Sequence, residues 1–352
     1  MSIVLILPNL RSGGSERVVV NLANELKLRN FDVTIILILG NDITLKPLIN
    51  TDISIIDLKL KRFRSILLNP FAFYNVIKKL NPKIIISAYG EINPLIIFFK
   101  LFFRNTKFIA RESSIPSLRL ENASIKIMYK FLYNYYDKIV VQSATMNLDL
   151  INNFSISPKK TILINNPLDI NFIDKKLNEY DEDANKLGDF LLYVGTIDSN
   201  KRLDKIISFY NKLRDNNFLY KLVIIGNGPD LKNTQFLIDE SKYKNDIIAY
   251  KYSDNPFKYM NLAKFLIIAS NYEGFPNVGI EANYCGLPII LSHETKGGAR
   301  ELIVDNFNGF ILDFNNPDFK KLDQKFNSEK IKEHTNDVYN VTTVAESYIK
   351  LF

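Results

Sequence analysis

The sequence predicts an α/β protein built from two doubly wound domains facing each other across a cleft. Three observations carry this. Short continuous apolar runs recur with helical stretches between them. The alternation stops at a polar, acidic segment and then restarts. A chain of 352 residues has room for two domains, at about 100–200 residues each.

The elements follow in order. Ile3–Leu7 is apolar without alternation, as a strand buried on both faces requires. A Gly-containing loop leads into a helical stretch from about Glu16 to Arg29, with Val18, Leu22 and Leu26 on its apolar face. Val33–Leu39, Ile53–Asp57, Ile84–Ser87, Phe108–Ala110 and Lys138–Gln142 read as further strands. Ile162–Leu168 closes the first domain, placed at 1–168. Residues 169–188 are polar, acidic and weakly periodic, and are expected to form the linker. Phe190–Val194, Lys221–Ile225, Ile247–Tyr250, Phe265–Ala269 and Pro288–Leu291 supply strands for a second domain at 189–335. A helix is expected over Leu203–Arg214. The tail, 336–352, has helical spacing at Val341, Val344, Tyr348 and Leu351, and is expected to cross back onto the first domain. Ligands of such sheets sit beyond the carboxyl ends of the strands.

Composition narrows the function. The hydrophobic share of 47% supplies a large core and excludes wholesale disorder. A lone cysteine, Cys285, cannot form an internal disulfide, which fits a reducing compartment. With His293 and His334 the only histidines, no zinc spacing exists, and no bound metal is expected. The apolar start has no secretory pattern, which predicts a cytoplasmic chain. Pro94 to Phe103 is interrupted by Lys100 and falls short of the roughly 20 apolar residues that span a bilayer.

Charge is uneven. Residues 1–170 hold 22 Lys/Arg against 12 Asp/Glu, whereas 171–352 hold 23 against 26. A basic first half suits an anionic surface or acceptor; a merely solvated face is the other reading. Lys59, Lys61, Arg62 and Arg64 precede Ile66–Leu68, and 95–107 has similar basic and apolar character. Such mixtures can lie on the inner face of an anionic membrane, or be ordinary helix faces. No nucleic-acid motif accompanies them, and no nucleic-acid partner is expected.

The richest segment is Ser270 to Glu281. It follows a buried strand, Gly274 and Pro276 enforce a loop, and a helix can begin near Asn277. Free amides at a helix start favour phosphate or sugar oxygens. Glu273 sits in the loop and Glu281 about one turn into the helix, where carboxylates can accept sugar hydroxyls without a metal. A helix cap and a solvated glutamate are the plainer reading of the two. Near the N-terminus, Ser12-Gly13-Gly14-Ser15-Glu16-Arg17 opens the first helix, and its glycines permit close approach and positive φ.

The wording around the glutamates makes a resemblance specific. Glu273-Gly-Phe-Pro-Asn-Val before Glu281, then Ala282-Asn-Tyr-Cys-Gly-Leu-Pro, resembles the E-x7-E motif of glycosyltransferase group 1 (family 4), retaining enzymes of the GT-B fold with two Rossmann-like domains. Lys296-Gly-Gly-Ala-Arg-Glu301 and Asp305-Asn-Phe-Asn-Gly309 continue it. The resemblance implies that Glu273 contacts the donor sugar, Glu281 the ribose, and the backbone of Phe275, Pro276, Asn277 and Val278 the sugar and phosphates. Lys201 matches the lysine that neutralises the leaving diphosphate. Thr196 stands where the family has arginine, so Arg202 is a second candidate for the phosphates. Gly13 and Gly14 match a donor-phosphate or acceptor loop, with Arg17 nearby. Arg111 and Glu112 match an element at a strand end. The family's first-domain histidine is absent, leaving Glu112, Arg111 and Glu91 as candidates to assist the acceptor. Gly226-Asn-Gly228-Pro229 matches a family turn that a plain strand–helix connection also explains.

The implied reaction moves a hexosyl unit, with retention, from a nucleoside diphosphate sugar to a hydroxyl of a lipid-linked or saccharide acceptor. UDP is favoured as the nucleotide, and lipopolysaccharide or capsule assembly as the setting. Two alternatives stay open: a nucleotide-sugar-binding protein without transferase activity, and a nucleotide-sugar epimerase of similar fold.

Overall fold

A computed structural model describes residues 1–68, 70–179, 182–251, 253 and 255–352, apart from the side chains of Leu68, Glu182 and Asp183. The chain divides into two compact units, one of Met1–Leu168 with Tyr339–Phe352, the other of Asp169–Val338.

The first unit is built on β1 (Ser2–Leu7), β2 (Asp32–Leu37), β3 (Ser54–Asp57), β4 (Ile84–Ser87), β5 (Lys107–Arg111), β6 (Lys138–Val141) and β7 (Thr161–Leu163). They form one sheet, ordered β3-β2-β1-β4-β5-β6-β7, with every pair parallel. The continuous apolar runs have a simple cause. Val4 and Ile6 of β1 enter one core, while Ile3, Leu5 and Leu7 enter another on the opposite face. Strand order reverses at β1 and β4, so the loops beyond them open the crevice where such sheets bind ligands.

The tail belongs to this unit. The helix Val341–Ile349 buries Val344, Ala345 and Tyr348 in the same core as Val19, Leu22 and Leu26 of the helix Gly14–Leu28. Leu168 is pinned beside it: its amide donates to Tyr339 O at 2.7 Å, and Val341 N donates to Leu168 O at 3.0 Å.

The second unit has β8 (Phe190–Val194), β9 (Lys221–Ile225), β10 (Ile247–Tyr250), β11 (Phe265–Ile268), β12 (Tyr272–Glu273), β13 (Ile289–Ser292), β14 (Lys296–Gly297) and β15 (Gly309–Leu312). Six form a parallel sheet ordered β10-β9-β8-β11-β13-β15, and β12 pairs with β14. Here the reversal falls at β8 and β11.

The expected linker needs correction. Most of its first half is a helix, Ile170–Leu177, whose start is capped by Asp169 accepting from Phe172 N at 3.0 Å. Only Ile173 of it is fully buried, so the apolar stripe was too thin to register as periodicity. Tyr180 and Asp181, within the same expected linker, lie outside the described residues.

Candidate functional site

In the second unit the strand reversal brings two loops together. The loop after β8 carries Lys201, and the loop after β11 carries Glu273. Lys201 Nζ donates to Glu273 Oε1 at 2.6 Å, and Ser270 Oγ donates to the same oxygen at 2.5 Å. Both charged side chains are mostly withdrawn from solvent. Burial pulls the lysine pKa down, but the Glu273 charge and hydrogen bond outweigh it, and the net shift is upward. The amine is therefore held as a cation within reach of a carboxylate.

One backbone and one side-chain hydrogen bond fix the two loops. Asn271 N donates to Asn200 O at 2.7 Å, and Asn200 Nδ2 donates to Tyr272 O at 3.1 Å. On its other edge, Glu273 pairs with Gly297 across β12 and β14, and Gly298 N donates to Glu273 O at 2.9 Å. Gly297 takes φ +92°, which only glycine adopts without strain. The Lys296-Gly-Gly run thus shapes the backbone that carries Glu273. Glu301 is exposed on the short helix that follows.

Beyond Glu273, Phe275 is half-buried and Pro276 is the N-cap of the helix Asn277–Tyr284, which starts without a side-chain cap. Asn277 and Val278 form its first turn, and Glu281 follows one turn on, half-buried. Close behind, a Cβ on Gly279 would come within 2.5 Å of Leu302 Cδ2, so the helix lies tight on its neighbours.

Arg202 has φ +54° and starts the helix Leu203–Asp215. Its guanidinium is engaged by Asp204 at 2.9 Å and by Asn271 at 3.1 Å. Thr196 O accepts from Tyr193 Oη at 2.7 Å. The Gly226–Gly228 turn has a packing cause. A Cβ on Gly226 would lie 2.0 Å from Gly195 O, and one on Gly228 2.1 Å from Ile197 O. These glycines let the β8 and β9 loops lock together through Ile197 N donating to Asn227 O at 3.0 Å.

In the first unit, Gly13 caps the helix Gly14–Leu28 with φ −84°, and neither glycine is left-handed. This corrects the expected positive φ. At Gly13 an added Cβ would meet Glu16 Oε2 at 2.3 Å, the far end of a side chain that would have to shift. Glu16 is buried and accepts from Arg11 Nε at 2.7 Å. The helix has no side-chain cap, so its first turn, from Gly14, presents amides at the end of β1. Arg17, half-buried, donates its amide to Gly13 O at 3.0 Å.

Arg111 and Glu112 require the larger correction. Both are 1% exposed. Arg111 Nη2 donates to Asn166 Oδ1 at 2.5 Å, and burial lowers the guanidinium pKa. Glu112 accepts from Tyr133 Oη, from Tyr129 Oη at 3.2 Å and from Asn93 Nδ2 at 3.3 Å. Side chains closed to solvent do not meet an acceptor hydroxyl. These two organise the interior behind β5, whereas Glu91 lines an open cavity with Arg62, Arg64 and Arg119.

Asn200 and Ser270 are the positioning residues that sequence reading passed over. Both lie inside segments read for other residues, and their roles come from contacts made only in the folded loops, Ser270 with the Glu273 carboxylate and Asn200 with the backbone of Asn271 and Tyr272. Among the described residues, no cluster of three metal-ligating side chains occurs, and no helix is long and apolar enough to cross a membrane.

Comparison with known proteins identifies the family. The model for glycosyl transferases group 1 matches residues 174–334, and that for glycosyltransferase family 4 matches residues 12–172. An N-acetylgalactosaminyltransferase of Campylobacter jejuni, acting on N-acetylgalactosamine-N,N'-diacetylbacillosaminyl-diphospho-undecaprenol, is 28% identical over 92% of this chain and 90% of its own. The amylovoran biosynthesis glycosyltransferase AmsD of Erwinia amylovora is 23% identical over 92% and 89%. Among solved structures, Anabaena HepE with UDP and glucose superposes with TM-score 0.81 at 15% identity, covering 99% of this chain and 98% of that one. Two parallel-sheet units, together with these related glycosyltransferases, define an enzyme of the GT-B class. The chain belongs to the group 1, family 4 glycosyltransferases.

Proposed function

We propose that this glycosyltransferase moves a hexosyl unit from a UDP-sugar to a hydroxyl of a lipid-linked saccharide, with retention, during assembly of a cell-surface polysaccharide. The observation that carries the reading is the Lys201–Glu273 pair beside the uncapped start of the helix Asn277–Tyr284. Glycosyl transfer passes through an oxocarbenium-like state: positive charge grows on the sugar and negative charge on the leaving diphosphate. Lys201 and the amides of the first helical turn answer the second charge. Glu273 answers the first, and Glu281 accepts from the ribose hydroxyls. Phe275 to Val278 line the sugar and phosphates, and Arg202 turns to the phosphates if Asp204 releases it. Within the first unit, Gly13 and Gly14 open the helix Gly14–Leu28 with amides suited to an anion, and Arg17 is assigned toward the acceptor. The reaction needs no resident metal, because a fixed cation already stands where diphosphate charge develops.

The relatives support the acceptor and setting. Two are named for diphospho-undecaprenol saccharides, and others for amylovoran and capsular polysaccharide. An acceptor of that kind places the enzyme peripherally at a membrane, on the cytoplasmic side where nucleotide sugars are found.

The test is a panel of nucleoside diphosphate sugars, read by thermal shift and by donor turnover, on wild type and Glu281→Ala. Stabilisation and turnover with one UDP-sugar, lost in the variant, support the reading. A folded protein that neither binds nor turns over any nucleotide sugar would refute it.

A further inference from the structure

At the carboxyl ends of β3, β4 and β5 lies a cavity of about 650 Å³ in the first unit. Arg62, Arg64 and Arg119 line it together with Leu95, Leu120 and Ile125. We propose that this cavity holds the diphosphate group of a polyprenyl-diphosphate-linked acceptor, with the prenyl chain leaving along an apolar track beside it. The inference rests on the lipid-linked-acceptor reading above and gives that acceptor a place.

The arginines are held by an aromatic scaffold. Phe63, between Arg62 and Arg64 in sequence, packs on Tyr89 with ring centroids 5.7 Å apart. Arg119 lies over the same tyrosine ring, 5.4 Å from its centroid, and donates to Tyr89 Oη at 2.8 Å. One tyrosine therefore ties the 62–64 turn to Arg119. Among the described residues, no carboxylate is within salt-bridge distance of Arg62 or Arg64. Guanidinium groups without an internal anion, grouped at a cavity, match phosphate oxygens in charge and fork geometry. Two carboxylates, Glu91 and Glu121, also line the cavity. They cannot receive a phosphate, but they accept the hydroxyls of a sugar attached to one.

The apolar part distinguishes a lipid from a soluble diphosphate. The segments 93–101 and 123–135 start at the cavity, through Leu95 and Ile125. They are joined again at their far ends, where Lys100 Nζ donates to Tyr135 O at 2.9 Å. On the second segment, the ten steps along the chain from Ile125 to Tyr135 cover about 15 Å. Large apolar side chains stay exposed along this flank: Leu101 at the end of one segment with Phe102 just past it, and Ile127, Phe131 and Tyr135 on the other. Phe71 extends the set, since Tyr74 on its helix packs against Phe102 and Phe103. Clustered exposed aromatics on a basic unit fit an acyl or prenyl chain at an anionic bilayer surface.

The experiment is calorimetric titration of the full chain with farnesyl diphosphate, a soluble prenyl diphosphate, in saturating UDP so that the donor site is occupied. Inorganic diphosphate and farnesyl monophosphate are titrated alongside, and UDP alone is titrated separately. The variants are Arg62→Gln with Arg64→Gln, and Phe71→Ser with Phe102→Ser, all at exposed side chains. Farnesyl diphosphate should bind at least about tenfold more tightly than either comparison ligand. The arginine variant should weaken it by about tenfold or more without changing UDP affinity, and the phenylalanine variant should narrow the gap to inorganic diphosphate. Equal binding of inorganic and farnesyl diphosphate, unchanged affinity in the arginine variant, or no heat with wild type would each overturn the proposal. Loss of UDP binding in wild type, with farnesyl diphosphate still bound, would sink the UDP-sugar reading and leave the cavity assignment standing.

Discussion

Lys201 and Glu273, 72 residues apart, meet at 2.6 Å because the sheet of the second unit reverses its strand order between β8 and β11. The contact crosses between neighbouring loops that carry no other charged pair of this closeness and burial among the described residues. On the proposed mechanism the amine serves the leaving diphosphate and the carboxylate serves the sugar. Lys201→Met should lower kcat by about 10²–10³-fold, the range for losing one preorganised donor to developing charge. Glu273→Gln should do likewise. The double variant should lose far less than the product of the two, since each single change already breaks the pair. Steady-state kinetics on the four proteins check this, and full multiplicativity would argue that the residues act separately.

Glu281 stands apart from that pair and is predicted to hold a part of the donor that does not react. Glu281→Ala should raise the donor KM by about tenfold or more, the cost of losing hydrogen bonds to a charged group, and change kcat little. A fall in kcat with KM unchanged would move Glu281 into the chemistry.

The fixed ammonium also bears on metals. Because Lys201 supplies positive charge at the proposed diphosphate site, turnover should persist in excess EDTA. Abolition by EDTA, with rescue by a divalent cation, would show that the diphosphate charge is met by a metal.

What the sequence made legible was what repeats or is locally marked. Strand–helix alternation is periodic, and Ile3–Leu7 or Lys221–Ile225 can be read directly because both faces are buried. The glutamate segment carries its own loop and helix signals. Three things stayed hidden because they depend on partners far away in the chain. The strands β12 and β14 are two residues each and exist only by pairing with one another. Gly309–Leu312 became a strand by lying beside β13, after a turn that drew attention to itself. The burial of Arg111 and Glu112 could not be read either, since a charged pair at a strand end ordinarily points to solvent.

Glycine positions give a stability test with internal contrast. At Gly226 and Gly228 an added methyl meets backbone carbonyls at 2.0 and 2.1 Å, which cannot move aside singly. Alanine at either should destabilise by about 1–3 kcal/mol or more. At Gly279 the obstacle is the tip of the Leu302 side chain at 2.5 Å, which can rotate. Gly279→Ala should therefore cost less, and thermal melts should rank the three accordingly. A Gly226→Ala protein as stable as wild type would mean that the β8 and β9 loops are not locked.

Glu112 predicts a pH dependence of stability. Burial, against hydrogen bonds from Tyr133, Tyr129 and Asn93, raises its pKa from the usual 4.5 to about 7. In the unfolded chain the carboxyl ionises near its usual value. Between these two pH values the folded state holds a proton that the unfolded state has released, so stability falls as pH rises through the window. The loss is complete above the folded pKa and is on the order of 3 kcal/mol for a shift of this size. Glu112→Gln keeps the shape, accepts and donates, and has no proton to lose. Its melting temperature relative to wild type should rise as pH goes from 5 to 8. The groups facing Glu112 sharpen the expectation, because the buried phenols of Tyr129, Tyr133 and Tyr136 stay protonated throughout that window, all raised by burial. Arg111, whose pKa burial lowers, is the nearby cation, and its charge pulls the Glu112 pKa down. Melts at pH 5, 6, 7 and 8 decide the matter: a difference between variant and wild type that stays flat across the series would show that Glu112 is ionised in the fold, with Arg111 as its counter-ion.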